Sequence, residues 1–100
     1  MSLTMMAFSK IFEFLPKSKV KAGEGKAWGK YPFFTCSNIQ DKYYSQAVFS
    51  GECLIFGTGG SASVHHVNGE FATSTDCLVA EAKINVNVKY VYYYLSSNIS

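Results

Sequence analysis

The hydrophobic and polar positions change period once along this chain, near residue 30. Before it, Phe8, Ile11, Phe12 and Leu15 recur at helical spacing, which predicts a short N-terminal helix over residues 7–15. Ser9 can cap that helix, and Pro16 ends it by excluding the preceding residue from helical geometry. Residues 17–29 are polar, basic and glycine-containing. They predict a loop much longer than the usual connection of about 4–6 residues.

Beyond Lys30 the pattern is one of short β-prone runs over residues 31–35, 47–49, 53–56, 63–67, 70–73 and 77–82. Breaks fall at Ser50-Gly51, at residues 57–61 and at Asn68-Gly69. Asn-Gly supplies the two positive φ angles of a type I′ turn, so residues 63–67 and 70–73 are expected to form a hairpin. The order of runs does not alternate strand with helix, which excludes a βαβ architecture. The tail from Asn87 to Ser97 fits two readings. Its valines and tyrosines favour a strand by propensity. Val88, Val91, Tyr92 and Leu95 also form a helical stripe, and Asn87 is a good N-cap.

Composition narrows the class. Apolar residues make up 48% of the 100 residues and charged ones 16%, too apolar and too weakly charged for a disordered segment. No run approaches the roughly 20 apolar residues that cross a bilayer, and no signal peptide is legible. A soluble cytoplasmic domain is expected. Residues 1–6 read as a start-proximal remnant and residues 7–100 as a single domain. The three cysteines, Cys36, Cys53 and Cys77, show no CxxC spacing. Buried, reduced thiols are the expectation, with no metal site and no cofactor.

Charge is uneven. The nine basic residues are all lysines, and six of them lie in the first thirty residues against Glu13 and Glu24. Such a stretch suits a polyanion and equally a solvated loop. Close by are aromatic, hydroxyl and amide side chains: Trp28, Tyr31, Thr35, Ser37, Asn38, Gln40, Lys42, Tyr43 and Tyr44. Groups of this kind position phosphates and read base edges, and the same aromatics can equally be core.

Catalytic signatures are weak. Gly57-Thr58-Gly59-Gly60-Ser61 follows an apolar run but lacks the lysine and following helix of a phosphate-binding loop. His65 and His66 are adjacent, so on a strand they point to opposite faces and cannot share a metal. A nucleophile built from one of the cysteines with His65 or His66 is the enzymatic alternative. The chain lacks GxSxG and HExxH, and it is expected not to be an enzyme.

The order of motifs is more telling than any one of them. Gly29-Lys30-Tyr31-Pro32-Phe33-Phe34-Thr35 is followed by Gly51-Glu52-Cys53-Leu54-Ile55-Phe56-Gly57 and a glycine turn. Next come Asn68-Gly69-Glu70-Phe71-Ala72-Thr73-Ser74, an acid at Asp76, the run 77–82, and Val88-Lys89-Tyr90-Val91-Tyr92-Tyr93-Tyr94-Leu95. This series resembles the target recognition domain of type I restriction–modification specificity (S) subunits, over roughly residues 8–95.

The resemblance implies an α+β fold: a twisted, mainly antiparallel sheet with a short N-terminal helix and a C-terminal tyrosine-rich helix. It implies recognition of one half of a bipartite double-stranded DNA target without catalysis. Methyltransferase (modification) and restriction subunits would act as partners. Domains of this family continue past the tyrosine segment, so residues 7–100 are expected to be a partial one. The contact pool drawn from these residues is Lys26, Lys30, Ser37, Asn38, Gln40, Lys42, Ser61 and His65, with lysines on phosphates and amides or hydroxyls toward bases. Six phosphate-neutralising lysines would give a log–log salt slope of about −5. The rival reading is a module that associates with proteins or with itself, through an uncovered sheet edge or the tyrosine-rich face.

Overall fold

A computed structural model describes residues 10–35, 39–57 and 63–98. Six strands form one sheet: β1 (Phe12–Phe14), β2 (Tyr31–Phe34), β3 (Lys42–Tyr44), β4 (Phe49–Gly57), β5 (Ser63–Thr73) and β6 (Cys77–Ala82), followed by helix α1 (Val88–Asn98). Their spatial order is β1-β6-β4-β5-β2-β3. All neighbours run antiparallel except β2 and β5, which are parallel.

Strand β4 sits at the centre, and Cys53, Leu54 and Ile55 are fully buried. Its apolar run does not alternate because both faces of the sheet are covered there. Cys53 and Ile55 join Phe34, Phe71, Cys77 and Val79 on one face. The rings of Phe71 and Phe49 stack there at 5.3 Å, and Phe34 meets Phe71 edge-on at 5.9 Å. Leu54 joins Phe12, Ala80 and Val88 on the other face.

Helix α1 closes that second face. Val88, Val91, Tyr92 and Leu95 lie against it, and the Asn87 side chain accepts from the Tyr90 backbone N–H at 3.0 Å. The tail is therefore a helix. The apolar patch around Phe12, Leu54 and Ala80 needs a stripe to cover it, and that requirement decides between two readings that propensity leaves level.

Three expectations are corrected. Helical conformation is described only at Lys10 and Ile11, and from Phe12 the chain is extended rather than helical to Leu15. Phe12 pairs with Ala82 and is buried, so pairing along β6 outweighs the local helical spacing. Residues 47–49 and 53–56 are not two strands, since β4 runs unbroken from Phe49 through Gly51. The hairpin at Asn68-Gly69 does not form either. Strand β5 passes straight through those residues and pairs with β4 from Phe49↔Phe71 to Gly57↔Ser63. A nine-pair ladder satisfies more backbone groups than a hairpin of two short arms. Of the glycine turn expected over residues 57–61, Gly57 ends β4 and residues 58–61 lie outside the described residues.

Candidate nucleic-acid interface

The edge strand β3 is short and carries Lys42, Tyr43 and Tyr44. Its outer edge is covered by the polar loop that precedes β2. Lys26 and Tyr43 exchange two backbone hydrogen bonds, at 2.9 and 2.8 Å. The loop lies flush on the β2–β3 pair because it has no side chain at Gly25 or Gly29. A Cβ at Gly25 would fall 2.7 Å from the Phe33 ring, and one at Gly29 would fall 3.0 Å from the Tyr43 Cβ. Packing the two glycines down turns the intervening residues outward, and Trp28 is 82% exposed.

The result is a hollow of about 480 Å³ beside β3, lined among others by Glu24, Lys26, Trp28, Lys30, Tyr44 and Ser45. The Phe33 ring, 5.6 Å away, supports Tyr44. Lys30 places its Nζ 5.4 Å from the centre of the Tyr31 ring, a cation–π contact that leaves the ammonium at the surface. Lys42 is exposed, with its Cβ 3.1 Å from where a Gly25 Cβ would lie. The Glu24 carboxylate accepts from the Lys21 backbone N–H at 3.2 Å, so it closes the short 3-10 turn at Ala22–Glu24. The hollow thus combines an exposed indole with lysines that outnumber the nearby acid.

The model of the type I restriction modification DNA specificity domain matches residues 4–100. This chain belongs to that family. Among solved structures it is similar to the type I restriction–modification system S subunit from M. genitalium, with a TM-score of 0.73 and 17% identity. That likeness, which establishes the fold, covers 92% of this chain and 26% of the other, so this chain spans about a quarter of its length. No curated protein matches. The mainly antiparallel sheet with a tyrosine-rich C-terminal helix is the fold of this specificity domain family.

Within the specificity domain, four of the eight expected contact residues come together. Lys26, Lys30, Gln40 and Lys42 lie on the β2–β3 pair and the loop against it. Gln40 is not wholly available, because its Nε2 donates to the Lys42 carbonyl and braces the entry to β3. His65 is not with them. It lies on β5, half-buried, with its ring 5.3 Å from Phe34. Ser37, Asn38 and Ser61 lie outside the described residues. Trp28 and Tyr44 line the hollow although neither is in the expected contact pool. The signal for Trp28 was local: a single tryptophan with a lysine two residues away on either side and glycines at 25 and 29.

The histidines and cysteines do other work. His66 points to the face opposite His65, with its Nε2 2.7 Å from a Glu52 carboxylate oxygen and its ring 5.9 Å from Tyr92. It joins β4, β5 and α1. Cys53 and Cys77 are buried and carry no disulfide, as expected, and Cys36 lies outside the described residues. Burial, with Glu81 and Glu52 nearby, pushes the Cys53 thiol up to about 11. A nucleophile needs the opposite, a depressed pKa and access. Among the described residues, no helix is long and apolar enough to cross a membrane.

Proposed function

We propose that this chain reads one half-site of a double-stranded DNA target as part of a type I restriction–modification specificity subunit. The observation that carries the reading is the lysine-rimmed surface beside β3, where Lys26 and Lys30 flank an exposed Trp28 and Lys42 stands exposed on β3 itself, on a domain of a DNA specificity family. The lysines hold phosphates and set the register of the domain on the duplex. Ser37, Asn38 and Gln40, in and beside the connection between β2 and β3, offer hydroxyl and amide groups to base edges. Bidentate amide pairing to adenine is the favoured mode there, since the chain contains no arginine. Ser61 and His65 would contribute from the β4–β5 side, His65 least because Phe34 holds its ring. The domain itself does no chemistry; methylation and cleavage fall to modification and restriction subunits.

Selection from a randomised duplex library, with and without a modification subunit, tests this. Enrichment of one short motif is expected. Flat enrichment in both arms would overturn it.

A second reading is supported by α1, which leaves Tyr90, Tyr93 and Tyr94 exposed on the side away from the sheet. Rings of this size on a helix suit a protein contact or a second copy of the chain. Light scattering on the isolated protein tests it, with a mass above that of one chain as the expected result.

A further inference from the structure

The hollow beside β3 is far smaller than a duplex. At about 480 Å³ it is of a size to hold a planar ring system, and Trp28 offers an indole face that no ring among the described residues covers. Lys26 and Lys30, two residues to either side, put cations at its rim. A paired, stacked base shows a protein only its edges. Its face becomes available only once the base leaves the stack. An exposed indole between two lysines, side chains suited to phosphates, therefore matches a base that has been unstacked.

We infer that Trp28 stacks on the face of a base displaced from the DNA helix, with Lys26 and Lys30 on the adjoining phosphates. The inference rests on the DNA-reading function proposed above and deepens it: the domain opens or distorts its site as well as reading groove edges. Trp28 lies outside the core, so replacing it leaves the fold intact. It is also the only tryptophan in the chain, and its fluorescence reports on this position alone.

The test uses two short labelled duplexes of the same sequence, one fully paired and one with a single unpaired nucleotide. Binding is followed by anisotropy of the label, and stacking by quenching of Trp28 fluorescence with unlabelled DNA. The expected result is binding on the order of tenfold tighter to the duplex with the unpaired nucleotide, accompanied by quenching. Trp28→Ala should abolish the preference and Trp28→Phe should largely restore it. Equal binding to both duplexes with no quenching would overturn the inference and leave DNA reading in place. Binding to neither duplex would remove both. Equally strong quenching by free deoxynucleoside monophosphates would also overturn it, because the site would then serve a soluble nucleotide.

Discussion

Gly51 and Gly69 face one another across the β4–β5 ladder, and both hold a positive φ, 122° and 135°. These are the residues that look like strand breaks in the sequence. In the fold they are an opposed pair inside two long strands, whose pairing continues on either side of them. Only glycine adopts such angles without strain. Gly51→Ala and Gly69→Ala should therefore each cost about 1–3 kcal/mol of stability, measured by urea denaturation. Nothing lies within 4 Å of a Cβ at Gly69, and at Gly51 the contact is an ordinary 3.5 Å to Glu81, so the loss comes from the backbone. Asn68→Ala, one residue away and exposed, should change stability by no more than about 0.5 kcal/mol.

The start of α1 depends on one side chain. Asn87 accepts from the Tyr90 N–H, a group that the first turn leaves without an intrahelical partner. Asn87→Ala should lower stability by about 1 kcal/mol, and Asn87→Asp should retain most of it. Chemical denaturation followed by far-ultraviolet circular dichroism measures both. A loss for Asp equal to that for Ala would mean that the cap contributes nothing.

The buried thiol of Cys53 gives stability a dependence on alkaline pH. Its folded-state pKa is raised from 9.0 to about 11. Between those values the unfolded chain releases a proton that the folded chain keeps, so the contribution is fully present below pH 9 and is lost as pH rises toward 11. The loss amounts to about 2–3 kcal/mol. Unfolding free energies across that interval should fall more steeply for the natural chain than for Cys53→Ala. Parallel curves would show that Cys53 titrates alike in both states.

Salt dependence separates the lysines. Counted from the sequence, six of them could neutralise phosphates. The fold groups Lys26, Lys30 and Lys42 around one surface, which predicts a log–log slope of affinity against salt of about −3. Replacing any one of the three by Ala should reduce the slope by about 0.9. Lys89→Ala should leave it unchanged, because that side chain lies on α1 with its Nζ 6.0 Å from the centre of the Tyr93 ring.

Local signals read well where the physics was local. Strands β2 and β6 appear close to their expected places, and the Asn87 cap is where the sequence puts it. Opposite orientations of His65 and His66 follow from strand geometry alone. Pairing was misread at Asn68-Gly69, because a turn-prone dipeptide has no knowledge of what lies opposite it. The site was legible in part. Lys26, Lys30, Gln40 and Lys42 are within seventeen residues of one another in sequence and remain neighbours in space. His65 joined the expected pool on residue type, and the fold assigns its ring to Phe34.

The amino-acid order by itself determined the class of the domain: strand-rich, with a long basic loop and an apolar central run, in a motif order that resembles one family of DNA specificity domains. The strand-rich class, the loop and the central run follow from propensity and periodicity, which act over a few residues. Only the tertiary structure decided what the tail helix covers, that two apparent turns are opposed glycines inside one ladder, and that Trp28 faces outward beside two lysines. Each of these depends on a partner distant in the chain: the patch around Leu54 for α1, Gly51 for Gly69, and the β2–β3 pair for the loop that carries Trp28. Contacts of that range enter the energy only once the sheet has assembled.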